Sequence, residues 1–216
     1  MDTLFADISE WQPPLDDSYP YRVLSIRSND GTHRDDNFAH NYDLATEWLD
    51  QGRLEVLIVY VVIRQNWQDC VRTHVQMQGD DRPGVVSMVD AESWNGRIAG
   101  DNSEAFNGAV RQLSVWRAGP GAGQLDRPRR VIGYLNPNDA AIWPSRPRMR
   151  WIVPAYGALP RFGPDTVDLA DGMIAHQYTD GSGYGGGLPE GYGDVRCDMN
   201  SADGASVRMF AQQLGV

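Results

Sequence analysis

Short apolar runs recur along the whole chain: Leu4–Ile8, Arg22–Ile26, Val56–Ile63, Val85–Val89, Arg130–Leu135, Trp151–Val153, Met173–Gln177 and Val195–Asp198. They are rich in β-branched residues, and several are continuously apolar. A continuous run marks a strand covered on both faces, as in parallel sheets, whereas alternation marks one wet face. Between the early runs the period changes to that of a helix. Residues 36–51 place Phe38, Tyr42, Ala45, Trp48 and Leu49 on one face and stop at Gly52. Residues 67–78 gather Trp67, Val71, His74 and Met77 before Gly79. Residues 102–118 open with Asp101 and Glu104 at capping-box spacing, carry a stripe of Phe106, Ala109, Val110, Leu113 and Trp116, and end at Gly119-Pro120. A last helix over 203–214 sets Val207, Phe210 and Leu214 on its inner side.

Strand and helix therefore alternate through the first five strands, while after Leu135 the connections turn Pro/Gly-rich and non-helical. Eight strands with early crossover helices predict an α/β fold, a modified TIM-like β/α barrel of eight strands with reduced helices in the C-terminal part. A regular barrel of this kind takes ~250 residues. This chain has 216, and the shortfall fits missing late helices. With no internal repeat and no long linker, residues 1–216 read as a single domain.

The composition is globular, with 41% hydrophobic and 22% charged residues. All 19 basic residues are Arg, against 29 acids, for a net charge of −10. The lack of lysine excludes Schiff-base and P-loop chemistry. A negative chain with dispersed Arg makes nucleic acid a poor partner. The start, MDTLFADISEW, has no basic and apolar segments of a signal peptide, and Val56–Ile63 is far shorter than the ~20 residues a membrane span needs. The expectation is a chain without signal peptide or membrane insertion, working as a monomer. Cys70 and Cys197 read as reduced, buried thiols, and the four histidines lack ligand spacing, so neither metal nor cofactor is expected. Gly181, Gly183 and Gly186 fit G-x-G-x-x-G but lead into more glycine, so the segment reads as a loop between strands. The doublets Asp16-Asp17, Asp35-Asp36 and Asp80-Asp81 read as solvated caps.

The chemistry concentrates in VVSMVDAESW. Asp90 and Glu92 close an apolar strand, and side chains at i and i+2 share a face. The C-terminal end of a barrel strand is where catalytic groups sit. Two carboxylates side by side repel each other, so one can stay protonated as an acid while the other stays ionised, which glycoside hydrolysis requires. Asp7 ends the first strand and Asp198 lies in the last, and these strands are neighbours in a closed barrel. Four mutually repelling acids at one end serve stability poorly.

These residues resemble glycoside hydrolase family 25, the N-acetylmuramidase-type lysozymes. The matching segments are ADISEWQ (6–12), VLSIR (23–27), DDNFAHNYDLA (35–45), MVDAES (88–93), VIGYLN (131–136), WIVPAY (151–156), HQYTDG (176–181) and CDMN (197–200), in the family's order over nearly the whole chain. The resemblance implies Glu92 as proton donor, Asp90 as its partner, and Asp7 and Asp198 as supporting acids in a glycan cleft. Two strands depart from the family: Tyr60-Val61-Val62 stands for a Tyr-His-Phe-like run, and His176-Gln177-Tyr178 for Trp-Gln-Tyr. Met88 replaces the further Asp of a chitinase-like pattern. The expected sugar contacts are Arg27, Tyr60, Trp94, Tyr134, Trp151, Tyr156, Gln177 and Tyr178, with Trp11 a further aromatic near the mouth. Arg27 is also a candidate partner for the acids. The implied activity is cleavage of the β-1,4 bond between N-acetylmuramic acid and N-acetylglucosamine in peptidoglycan glycan strands. A lysin without a signal peptide fits a bacteriophage enzyme released by a holin, or one carried on the virion. The alternative is a non-catalytic wall-binding or virion structural domain that keeps the barrel.

Overall fold

The computed structural model describes residues 3–118, 130–156, 162, 171–183, 189–202 and 206–216. Eight strands form the wall: β1 (Thr3–Ile8), β2 (Val23–Asp30), β3 (Val56–Val62), β4 (Val85–Ala91), β5 (Val131–Leu135), β6 (Trp151–Pro154), β7 (Met173–Thr179) and β8 (Asp198–Ala202). β1 to β7 pair in parallel as sequential neighbours. β8 runs antiparallel to both β7 and β1 and closes the barrel. The predicted modified barrel is the observed architecture. The apolar runs form its wall because both faces are covered: all seven residues of β4 are buried.

Helices α1 (Phe38–Asp50), α2 (Trp67–Gln78) and α3 (Ser103–Ala118) cover the outside after β2, β3 and β4. α2 has the predicted span, and Gly79 ends it at φ +72°, a conformation that side chains resist. Between β5 and β6 only a 3₁₀ turn, Pro137–Ile142, replaces a helix. The expected stop at Gly119-Pro120 and the Gly186 end of the glycine-rich loop lie outside the described residues.

Side-chain parity sorts the core. Phe5, Val23, Ile58, Val86, Ile132 and Ile152 fill the barrel interior. Phe210 and Leu214 of α4 (Val207–Leu214) pack with them, with the Phe5 and Phe210 rings 5.7 Å apart, so α4 plugs the amino-terminal end. The opposite end is left for polar groups. Outward residues such as Val61, Val89 and Leu135 meet the helices.

The last strand corrects the expectation of Val195–Asp198. Val195–Arg196 instead forms a small hairpin with Gly191–Tyr192, and β8 begins at Asp198. Its sequence, DMNSA, has no apolar run, although Asn200 and Ser201 are fully buried. One doublet read as a solvated cap is also corrected, since Asp35 is buried against Arg27. Asp80 and Asp81 are exposed as expected, and Asp81 also bridges Arg117 and Arg130. Cys70 and Cys197 are both buried as free thiols. Among the described residues no helix is long and apolar enough to cross a membrane.

Candidate active site

The four acids meet. Asp7, Asp90, Glu92 and Asp198 line one cavity of about 290 Å³ at the carboxyl-terminal end of β1 to β7, together with Arg27, Tyr60, Trp94, Tyr134, Tyr156 and Gln177. Asp7 and Asp198 are register partners across the β1–β8 seam. Asp198 opens its strand instead of ending it. Because β8 is antiparallel, its first residue lies at the same end as the last residues of the parallel strands.

Each acid is held in a distinct setting. Asp7 accepts a hydrogen bond from Ser25 Oγ at 2.8 Å. Burial raises its pKa to about 6, against the lowering pull of Ser25, Tyr60 and Arg27. Asp90 is pushed well above the usual carboxylate range, first by burial and then by Glu92 and Asp7. Its Oδ1 is buried with no hydrogen-bond partner among the described residues. Glu92 rises to about 7, first through burial and then through Asp139, with Arg64 opposing. Asp198 is raised by burial and then by Asp7. Charge repulsion inside a buried cluster favours retained protons. The Asp90–Glu92 pair thus keeps one proton towards neutral pH.

The polar contacts radiate from Gln177. Its Nε2 donates to Asp198 Oδ2 at 3.2 Å, and its Oε1 accepts from Tyr134 Oη at 2.9 Å and Tyr156 Oη at 2.8 Å. Arg27 does not pair with the four acids. Its Nε donates to Asp35 (2.8 and 2.9 Å) and its NH2 to Glu10 (3.2 Å), so it acts on the cluster only through space. Trp94 sits at φ +50° with Arg64 stacked 4.3 Å over its ring, and its indole nitrogen is buried without a hydrogen-bond partner among the described residues. Trp11 lines the rim at 78% exposure.

Two expected sugar contacts are elsewhere. Trp151 faces outward, 5.2 Å from Trp143, with its ring over Gly133, where an added Cβ would stand 2.3 Å from the ring. Tyr178 is fully buried outside the barrel and donates to Pro189 O at 2.8 Å. Strand parity explains the second: with Gln177 inward, Tyr178 must point out. Trp151→Ala is therefore expected to cost ~3–5 kcal/mol of stability in denaturant unfolding. Unfolding at the parent's denaturant midpoint would contradict this packing role.

Three further residues contribute to the site. Ser25 faces Asp7 through the β1–β2 register. Asp139 lies in the 3₁₀ turn, where its Oδ2 accepts from Ser93 N at 2.9 Å beside Glu92. Arg64 follows β3 and pairs with Asp30. Only Ser25 carried a signal, sharing the inward parity of Arg27. A larger cavity of about 690 Å³ lies on the outer wall around Met149, Trp151 and Met173, but its described lining holds one carboxylate, Asp171, and no acid pair.

The fold is that of the family 25 glycosyl hydrolases. The family 25 glycosyl hydrolase from Bacillus anthracis superposes with a TM-score of 0.64 at 14% identity, covering 97% of this chain and 92% of that one. The catalytic domain of endolysin ply40 from bacteriophage P40 of Listeria monocytogenes gives 0.63 at 18%, covering 100% and 98%. The modular autolysin LytC from Streptococcus pneumoniae, solved with a synthetic peptidoglycan ligand, gives 0.61 at 12%, covering 93% of this chain and 46% of LytC. No family model matches the chain. By sequence, the chain belongs to the same family as the Mycobacterium tuberculosis protein described as uncharacterized protein Rv3766, with 45% identity over 221 residues, 100% of this chain and 74% of that protein.

Proposed function

We propose that the chain is a peptidoglycan hydrolase that cuts the β-1,4 bond between N-acetylmuramic acid and N-acetylglucosamine. One observation carries the reading: four buried or half-buried carboxylates with raised pKa values converge on one cavity of an open barrel end. Such a cluster costs folding energy and fits a site that needs a carboxylic acid and a carboxylate together. The structural neighbours described as hydrolase, endolysin and autolysin support the same class. A non-catalytic wall-binding role would leave these four acids without a purpose.

Glu92, the pair's member nearer solvent, protonates the leaving glycosidic oxygen. Asp90 lies two residues earlier on the same face, badly placed for a nucleophile opposite the leaving group. Its unpartnered Oδ1 instead suits the N–H of the substrate's 2-acetamido group. That contact polarises the acetamido carbonyl, whose oxygen attacks the anomeric carbon, as in substrate-assisted glycosidases. Water, giving its proton to the Glu92 carboxylate, then opens the cyclic intermediate with retained configuration, with Asp7 and Asp198 facing the pair across the mouth. Tyr134 and Tyr156, tied to Gln177, and the Trp94 indole offer faces and donors to the sugars.

Zymography on purified cell walls tests the class: a clearing band is expected, and none with a folded protein would refute it. The pH profile tests the roles. Protonation of Asp90 and its neighbour Asp7 on the acid side, and ionisation of Glu92 near 7 on the alkaline side, are expected to give a bell. A rate still rising through alkaline pH would contradict a carboxylic acid donor.

A further inference from the structure

Behind Arg27 and Tyr60, outside the barrel, lies a buried polar chain that the proposed reaction does not use. It begins at Arg117 of α3, buried yet still cationic at neutral pH, with burial bringing its pKa down to about 10. Arginine can only donate. Its NH2 donates to Gln78 Oε1 at 2.6 Å and its Nε to Ser87 Oγ at 3.0 Å. This fixes the Gln78 amide, whose Nε2 then donates to His74 Nε2 at 2.7 Å. Ser87 Oγ, 3.0 Å from the same nitrogen, donates there too. His74 Nε2 is therefore an acceptor, and the ring is the neutral tautomer protonated at Nδ1. Burial favours that neutral form and holds the His74 pKa well below its usual value. Nδ1–H donates to Ser28 Oγ at 2.7 Å. The Ser28 hydroxyl proton is left to the Tyr60 carbonyl at 2.9 Å and Asn29 Oδ1 at 2.6 Å.

Ser28 is the extra residue of a β-bulge. Arg27 pairs with Tyr60 and Asn29 with Val61, so Ser28 has no partner of its own in β3. Bulges re-aim the side chains beside them and recur next to functional sites. Here the neighbours are Arg27, whose charge lowers the pKa of Asp7 and Asp90, and Tyr60, which lines the same cavity and also lowers the pKa of Asp7. We infer that Ser28 and His74 are positioning residues: the donor chain from Arg117 pins the β2 bulge and thereby sets Arg27 and Tyr60 against Asp7. The inference rests on the proposed function for its purpose, but not for its test. The groups facing Asp7 are Ser25 and Arg27 from β2, Tyr60 from β3, Asp90 and Glu92 from β4 and its end, and Asp198 from β8.

The test is carboxyl-detected NMR titration of the full chain, with the Asp7 signal assigned by its loss in Asp7→Asn. In Ser28→Ala the Asp7 midpoint is expected to rise by ~0.5–1 unit, as Tyr60 and Arg27 lose their alignment. His74→Leu is expected to do the same. His74→Asn, whose amide N–H can replace Nδ1–H, is expected to stay near wild type. A merely structural role would lower the melting temperature of Ser28→Ala and leave the Asp7 midpoint where it was, and that result overturns the inference. Should His74→Leu not fold, Ser28→Ala decides alone. If wild-type protein hydrolyses no wall, the proposed function fails while the titration still reads the bulge.

Discussion

Glu92→Gln is expected to keep the barrel and its grip on glycan while losing wall hydrolysis by a factor of ~10²–10⁴, the usual contribution of a positioned general acid. Gln is nearly isosteric, so Glu92's place at the end of β4 stays filled. What disappears is a proton held up to about pH 7 by burial and by the nearby Asp139. Turbidity loss of a wall suspension measures the rate, and pull-down on the same walls measures retention of binding. Lysis at the wild-type rate would remove Glu92 from the chemistry. Asp90→Asn is expected to fall by a similar factor, because its amide no longer attracts the acetamido N–H as a carboxylate does.

The same Glu92→Gln variant is expected to be more stable than the parent at pH 8. Glu92 has a pKa of about 7 in the fold against 4.5 for an ordinary Glu. The folded state thus binds the proton more tightly. Its stabilisation is complete below 4.5 and is lost as pH rises through about 7. At ~1.4 kcal/mol per unit, discounted for the group's residual contact with solvent, ionisation costs the fold on the order of 1–3 kcal/mol at pH 8. A neutral Gln avoids that cost. For a chain of this size the gain is a rise of ~2–10 °C in melting temperature. At about pH 3.5 the advantage should vanish, since Glu92 is then largely protonated in both states. Calorimetry at the two pH values reads the difference. An equal shift at both would mean that packing, not charge, sets it. Asp7, Asp90 and Asp198 strain the fold in the same direction. The barrel therefore carries an acid cluster that weakens it at neutral pH, a trade made where function needs it.

The wall of the barrel was legible because buried parallel strands leave continuous apolar runs, and α2 because its 3.6 period ends at a glycine that alone tolerates φ +72°. Asp90 and Glu92 stood out because an acid pair ends such a run. β8 was misplaced for the opposite reason. Asn200 and Ser201 are fully buried with polar side chains, so the strand looks like a loop. Its antiparallel direction, which puts Asp198 at the mouth, has no local signature at all. Aromatic chemistry alone points Trp151 and Tyr178 to the cavity, although the alternation of side chains already sets Tyr178 opposite Gln177. A doublet of acids says nothing about an arginine eight residues earlier, so Asp35 reads as a cap although it pairs with Arg27. The Ser28 bulge adds one residue to a strand without changing its composition.

The central claim is the bond that is cut, and the end groups of the fragments report it most directly. Purified peptidoglycan digested with the chain, reduced with borohydride and analysed by mass spectrometry should yield fragments whose reduced terminus is N-acetylmuramic acid. Fragments ending in reduced N-acetylglucosamine, or intact glycan strands after digestion by folded protein, would contradict the account.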